Sequence, residues 1–375
     1  MKQTVFITFF PAYPPRAGAA SVSYNFCKYS TGSRWLIQIS DKDRVDKLDD
    51  EMTVISIAAK NKTKCQKISG LFNRIKKIAD KVKEINPDTI YFEGASWVLY
   101  FVLLYRKLRK NGIKSKIIYH SHNVEYVLRK QKHGFIVTAI TKWSERYLLT
   151  HCDYCTAVSE IDVQHFKELY SVAPIVLPNG VDFKRFDMVN DEQVQSIKEK
   201  YQLPNKKTVL FMGLIGYKPN DEAVDFLVWQ VFPKLINKVP DAKLVIIGGT
   251  VKERHEWLIN PGNIPPDDLP AFIKACEICV SPIFSGSGTR LKILEYLAAE
   301  KLIISTSKGA EGLGLIDKEQ IIFAEDAITF IEQIIIYFNS PREADKLIKN
   351  GKSAIKKFDW IKITQDFQKV IVESK

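Results

Sequence analysis

A chain of 375 residues, 46% apolar and 26% charged, has the composition of an ordinary globular protein and is too long for one compact core, so two domains are expected. No apolar stretch reaches the length of a membrane span, and the run 4–10 behind Met1-Lys2-Gln3 is too short and unflanked for a secretory signal, so a cytoplasmic protein is expected. The net charge of +12 points to an anionic partner: nucleic acid, a nucleotide or an anionic membrane surface.

In chain order, the run 4–10 reads as a first strand. Pro11-Ala12-Tyr13-Pro14-Pro15-Arg16-Ala17-Gly18-Ala19-Ala20 follows as a turn-rich loop of small residues, which permits close backbone approach to a ligand before a helix at 21–29. Strands are expected at 35–39 and 53–58. A basic helical stretch comes next, in which Lys60, Lys62, Lys64, Lys67, Arg74, Lys76, Lys77, Lys81 and Lys83 are opposed by Asp80 alone. Asn86-Pro87-Asp88 ends it before a strand at 89–92, and Gly94 follows. A helix over 96–110 and its exit carry a second cluster: Arg106, Lys107, Arg109, Lys110, Lys114 and Lys116. Either cluster alone reads equally as a solvated helix face. The strand 115–119 ends in His120-Ser121-His122-Asn123-Val124-Glu125. The segment 126–149 reads as one amphipathic helix, with Phe135, Ile136, Ile140 and Trp143 interleaved with Arg129, Lys130, Lys132 and Lys142. Strands at 154–158 and 175–177 complete a first alternation.

Pro178-Asn179-Gly180-Val181-Asp182 and the charged run to Lys207 read as a connection. A second alternation then begins with a strand at 208–212, the loop Gly213-Leu214-Ile215-Gly216-Tyr217-Lys218-Pro219-Asn220, and a helix over 221–237. Strands follow at 243–247 (ending in Gly248-Gly249), 278–280, 302–305 and 321–323, then helices at 327–338, 342–357 and 360–374. The expected fold class is α/β: two Rossmann-like, doubly wound parallel-sheet domains, 1–180 and 181–357, facing a central cleft, with a last helix at about 358–375 packing back on the first. Cysteines 152 and 155, and 276 and 279, have Cys-x-x-Cys spacing. Residues three apart on a strand point to opposite faces, so both pairs are expected to be buried small hydrophobes rather than metal ligands.

The stretch 281–295, Ser-Pro-Ile-Phe-Ser-Gly-Ser-Gly-Thr-Arg-Leu-Lys-Ile-Leu-Glu, carries the chemistry. A glycine loop between a strand end and a helix starting near Thr289 offers unpaired N–H groups and a helix dipole to a phosphate. Thr289 can cap that helix, Arg290 and Lys292 supply charge, and Glu295 can accept hydrogen bonds from sugar or ribose hydroxyls. Taken alone, such loops are mostly plain turns. What lifts this one is that every other notable loop (Gly18, Glu93-Gly94, His122-Asn123, Lys218, Gly248-Gly249) also follows a strand end.

Over nearly its whole length the chain resembles the family-4 retaining glycosyltransferases of the GT-B fold. The resemblance is carried by Pro14-Pro15-Arg16-Ala17-Gly18, Ala157-Val158-Ser159-Glu160, Leu177-Pro178-Asn179-Gly180-Val181-Asp182, the run from Ser285 through Ala298, and Gly309-Ala310-Glu311-Gly312-Leu313. It implies that Glu295 holds the ribose as the second glutamate of a Glu-x7-Glu motif. Ser287 stands where the first glutamate, which touches the donor sugar, is expected. Gly288, Thr289, Arg290 and Leu291 would hold the diphosphate by their backbone, and Gly18, Asn220, Gly248 and Gly286 would complete the donor site. Lys218 takes the family's lysine role, while Leu214 replaces the expected arginine and Arg290 is the candidate to compensate. His122 resembles the histidine near the reacting carbon, and reads equally as a loop histidine with a structural hydrogen bond.

The resemblance further implies a nucleotide-diphosphate donor (uridine or guanosine), a glycan or lipid-linked acceptor, retained anomeric configuration, no cofactor and no metal. It places the activity in cell-surface polysaccharide or lipopolysaccharide assembly. The basic first domain and the 126–149 segment suggest peripheral docking on an anionic leaflet, or equally a helix packed on its own sheet. A sugar-nucleotide epimerase of the same architecture is the main rival. A dehydrogenase would need a Gly-x-Gly-x-x-Gly turn after a first strand, and a nucleic-acid binder would need aromatic stacking platforms. Neither signal is present.

Overall fold

The computed structural model describes residues 2–15, 18–59, 64–94, 98–130, 133–286 and 288–373, excepting the side chains of 64–69 and 372–373. The chain forms two compact units. One contains Met1–Asn179 and Trp360–Lys375, the other Gly180–Asp359.

The first unit is built on β1 (Gln3–Ile7), β2 (Ser33–Ser40), β3 (Arg44–Lys47), β4 (Met52–Ala58), β5 (Thr89–Gly94), β6 (Lys116–Ser121), β7 (Tyr154–Ala157) and β8 (Ile175–Val176). They lie in the order β3-β4-β2-β1-β5-β6-β7-β8, parallel throughout except for the antiparallel edge pair β3 and β4. The strands are apolar on both faces because helices cover both, and Val5, Phe6, Ile7, Ile90, Phe92, Ile117 and Ile118 are all fully buried. The final helix, Trp360–Glu373, belongs to this unit. Trp360 and Phe367 stand within 6.4 Å and 6.2 Å of the Phe26 ring, on the helix Gly18–Tyr29.

The second unit continues with β9 (Thr208–Met212), β10 (Lys243–Ile247), β11 (Leu258–Gly262), β12 (Ile278–Ser281), β13 (Leu302–Ser305) and β14 (Ile322–Phe323). Their order, β11-β10-β9-β12-β13-β14, is parallel at every pair. The winding reverses between β9 and β12, and in the first unit between β1 and β5. At such a reversal the loops after two neighbouring strands diverge to opposite faces and leave a crevice between them.

Several family-like segments have plain structural reasons. In Ala157-Val158-Ser159-Glu160 the strand ends and Ser159 becomes the N-cap of the helix Glu160–Tyr170, accepting from the Asp162 amide at 3.1 Å. Asp182 caps Phe183–Asp187 in the same way, through the Arg185 amide at 3.3 Å.

Elsewhere the structure departs from expectation. Residues 126–149 do not form one helix: Glu125–Lys130 ends, and Phe135–His151 starts afresh with Gly134 at its N-cap, where a glycine favours a break. β3 and β11 were not expected. β3 is charged, and β11 contains Pro261, which cannot donate to a ladder and is tolerated at the sheet edge where it lies. β5 and β6 each run two residues further than anticipated, so Glu93 and His120 are strand residues. The helix expected near Thr289 begins at Leu291 with Arg290 at the N-cap, so Thr289 lies outside the cap position. Each cysteine pair straddles a helix end and a strand rather than sharing a strand. Burial pushes the Cys155 and Cys276 thiols up to about 12.

Candidate functional site

Within the second unit, the loops after β9 and β12 flank the reversal of the sheet, and side chains bridge from one to the helix that follows the other. The β9 loop is held by its own backbone. Gly213 N–H donates to Ile247 at 3.0 Å, and Ile215 N–H to Gly248 at 3.0 Å. Gly248 adopts φ +104, and a Cβ there would overlap the Gly213 carbonyl, so no side chain fits. A Cβ on Gly213 would meet the Asn220 carboxamide at 2.7 Å. Asn220, buried at the start of the helix Lys218–Asp225, donates its Nδ2 to the Leu214 carbonyl at 3.0 Å and accepts from Lys292 Nζ at 3.0 Å.

The β12 loop is stapled from beneath by the residues after β13. Ser305 Oγ donates to the Ser281 carbonyl at 3.0 Å, and Thr306 Oγ1 to that of Ile283 at 2.5 Å. Gly286 and Gly288 then turn with φ +93 and +80. Ser285 Oγ donates to Glu222 at 2.6 Å, and a Cβ on Gly286 would touch Pro219 at 3.3 Å, so this loop rests directly on the start of the β9 helix. Arg290 donates to the Gly288 and Ser285 carbonyls at 2.9 Å and 3.2 Å. Its guanidinium therefore braces the loop that the sequence expected it to arm.

The helix Leu291–Ala298 carries the remaining charges. Lys292 Nζ stands 4.2 Å from the centre of the Phe211 ring and is hydrogen-bonded to Asn220. Burial, with nearby Arg290, lowers its pKa to about 7. Burial raises Glu295 to about 7, opposed by the positive charges of Arg185 and Lys292. A cation and a carboxylate on one helix face are thus both pushed toward neutrality, an environment that would favour a charged or polar ligand. The first turn of this helix also leaves N–H groups without an intrahelical acceptor.

Of the residues singled out from sequence, the structure brings Lys218, Asn220, Gly248, Gly286, Gly288, Arg290 and Leu291 into this one neighbourhood, with Glu295 a turn further on. Lys218 is 77% exposed in its side chain and lies 3.6 Å from Glu222. Ser287 lies outside the described residues. Gly18 and His122 belong to the first unit, Gly18 as the first residue of an α-helix. Sequence reasoning gave Lys292 only a charge; its burial and its Asn220 partner come from the tertiary packing.

In the first unit, Gln38 holds the loop after β1 by accepting from the Ala12 and Tyr13 amides, both at 2.7 Å. At the ends of β5 and β6, Glu93, His120 and His122 form a buried cluster whose donor atoms lie within 4.8 Å of one another. It is the one group of that kind found among the described residues, and these atoms already bond to each other. An Asp-x-Asp spacing occurs at Asp41-Lys42-Asp43. It lies in the exposed turn between β2 and β3, where Asp43 pairs with Lys77 at 3.2 Å.

A family model described as "Glycosyl transferases group 1" matches residues 206–339, and one described as "Glycosyltransferase Family 4" matches residues 36–185. An uncharacterized 44.6 kDa protein of the cps region of Klebsiella pneumoniae is 32% identical over 187 residues, 46% of each chain, so the match spans less than half of that protein's length. An uncharacterized glycosyltransferase of Methanocaldococcus jannaschii is 22% identical over 350 residues, 82% of this chain and 95% of that one. Among solved structures, sucrose-phosphate synthase from Thermosynechococcus elongatus superposes with TM-score 0.78 at 14% identity, covering 100% and 99% of the two chains. HepE from Anabaena, solved with UDP-glucose, superposes at 0.73 with 12% identity and full coverage of both chains. WaaG, a glycosyltransferase involved in lipopolysaccharide biosynthesis, does so at 0.71 with 12% identity, covering 98% and 99%. These findings make the chain a glycosyltransferase. With one matched segment largely in each parallel α/β unit, it belongs more particularly to the family-4 glycosyltransferases of the GT-B fold.

Proposed function

We propose that this glycosyltransferase moves a sugar from a nucleotide-diphosphate donor to a glycan or lipid-linked acceptor, with retention of configuration and without an essential metal, in the assembly of cell-surface polysaccharide. The observation that carries this reading is the meeting of the Lys218–Asn220 and Gly286–Leu291 segments around Lys292. Bringing a diphosphate there would restore the charge that burial takes from Lys292, and the leaving nucleotide would be neutralised by Lys218, Lys292 and helix amides. Arg290 shapes the loop and adds positive potential. Glu295 takes the ribose hydroxyls, and His122 serves the reacting end of the sugar. The relatives fit this setting: one protein is described from a cps region, HepE was solved with UDP-glucose, and WaaG works in lipopolysaccharide biosynthesis. The donor is uridine- or guanosine-linked. Thermal-shift measurements against uridine, guanosine and adenosine diphosphates test the site, since a ligand at 100 times its Kd adds about 2.7 kcal/mol to stability. Turnover of a nucleotide sugar only when acceptor is present tests transfer, and turnover without acceptor would make the enzyme an epimerase.

The same reading places the protein peripherally on the inner face of the cytoplasmic membrane. No described helix is long and apolar enough to cross a membrane. The helix Phe135–His151 packs inward through Thr141, Ser144, Glu145, Leu148 and Leu149, while Phe135 (87% exposed), Ile136 (73%), Ile140 and Trp143 stand in solvent. Lys142 and Arg146 flank that stripe, and Arg106 and Lys110 are exposed on the neighbouring helix Val98–Lys110. An apolar stripe rimmed by cations suits an anionic leaflet. Sedimentation with anionic liposomes at low salt checks it. The doubly substituted Phe135→Ser, Ile136→Ser chain should stay in the supernatant with an unchanged Tm.

A further inference from the structure

β5 and β6 run parallel with Glu93 opposite His120 and Gly94 opposite Ser121, which brings three titratable side chains together at one end of the first sheet. Glu93, His120 and His122 are 0%, 1% and 5% exposed. His120 Nδ1 lies 3.2 Å from both Glu93 oxygens, and His122 Nε2 lies 3.0 Å from Oε2. Backbone fixes the arrangement further: His122 N–H donates to the Gly94 carbonyl at 3.1 Å, and Ser121 Oγ to that of Asn123 at 2.6 Å.

The protonation pattern follows from these contacts. Burial would raise the Glu93 carboxyl, but the charge and hydrogen bonds of His120, and those of His122, outweigh it and hold it at about 2. An ionised carboxylate only accepts, so both facing ring nitrogens carry hydrogen. Burial also holds His122 below its ordinary value, against the opposing pull of Glu93, so its imidazole is neutral at pH 7. With hydrogen on Nε2, its Nδ1 is a lone-pair acceptor. That atom is buried and has no hydrogen-bond partner among the described residues. Two neighbouring titratable groups stay uncharged near neutrality: burial and Glu93 push Tyr91 up, and burial pushes Cys27 of the helix Gly18–Tyr29 up, while the charged Arg34 that acts on Cys27 is paired with Glu51 at 2.9 Å.

We infer that Glu93 is a positioning residue for the transfer reaction: its carboxylate locks His122 as the Nε2–H tautomer, so that the unpartnered Nδ1 is left as a fixed acceptor for a substrate hydroxyl. His120 takes the second side of the carboxylate and keeps it from turning away. The inference rests on the glycosyltransferase reading in one respect only, that His122 meets substrate. The tautomer itself is a property of the free protein.

The experiment uses the full chain labelled with 15N-histidine, in which His122→Gln identifies one signal among six histidines. Long-range proton–nitrogen spectra of the unmodified chain at pH 7 should show His122 protonated at Nε2. Glu93→Gln should lose that single tautomer, lower kcat ten- to a hundredfold with little change in donor KM, and move the acid limb of the rate profile to lower pH. The direction follows because Glu93 stabilises the imidazolium. Glu93→Asp should recover part of kcat. The thermal shift by uridine or guanosine diphosphate should remain in Glu93→Gln, because the nucleotide residues lie in the other unit. A His122 signal protonated at Nδ1, or a Glu93→Gln enzyme with wild-type kcat and pH profile, overturns the inference. So does a stoichiometric metal in the purified protein that Glu93→Gln loses. Should Glu93→Gln fail to fold, the spectrum of the unmodified chain still decides. Absence of any nucleotide shift in the unmodified chain would count against the proposed function and leave the tautomer result standing.

Discussion

Replacing Lys292 by Met removes a half-buried cation while keeping an unbranched side chain of similar reach. In the free protein the Lys292 pKa is depressed from 10.5 to about 7, so its contribution to stability is intact above 10.5 and is lost as the pH falls toward 7. At pH 7 that linkage amounts to about 4 kcal/mol as a ceiling, and the side chain's partial opening to solvent halves it to about 2 kcal/mol. Losing the 3.0 Å bond to Asn220 Oδ1 returns about 1 kcal/mol. The net expectation for Lys292→Met is therefore a gain of about 1 kcal/mol at pH 7, read as a rise of about 2–4 °C in Tm for a unit of this size. The gain should shrink as the pH approaches 10. The same variant should lose most of the Tm increase that a nucleoside diphosphate gives the unmodified protein. Calorimetry at pH 7, 8.5 and 10, with and without the nucleotide, makes the comparison. A variant that is no more stable than the parent and still responds to nucleotide would refute the reasoning, because Lys292 would then be neither desolvated at a cost nor placed at the diphosphate.

Glu295→Ala should abolish the nucleotide-induced shift in Tm while leaving the fold intact, and an unchanged shift would remove the ribose assignment. Gly248→Ala should destabilise the second unit by about 2–4 kcal/mol, since a Cβ there combines φ +104 with overlap on the Gly213 carbonyl; denaturant melts measure it. Acidification should cost stability in two steps. His122, whose pKa is depressed on folding, begins to lose its contribution as the pH falls below about 6.5, and Glu93 loses its own between about 4.5 and 2. A His122→Gln chain should lack the first step in urea melts across that range.

The sequence by itself determined the two-unit α/β plan, because short apolar runs ending in Gly, Pro or small polar residues alternate with helical patterns, which is how buried parallel strands separated by helices read. It also determined that the loop after β12 turns sharply: Gly286 and Gly288 both occupy positive φ, a requirement visible in the residue type. Two of the four edge strands were hidden, since β3 is charged and β11 holds a proline, and an edge needs neither alternation nor a full set of donors. The break at Gly134 was masked by the apolar periodicity on either side of it. Side-chain partnership was beyond any pattern in the chain. That Arg290 braces its own loop, that Lys292 reaches 72 positions back to Asn220, and that Glu93 sits between two histidines are outcomes of packing. Periodicity records which face of an element is apolar. It holds no record of which distant side chain stands opposite, and the loss of solvent that shifts a pKa arises only once the neighbouring strand has been laid down beside it.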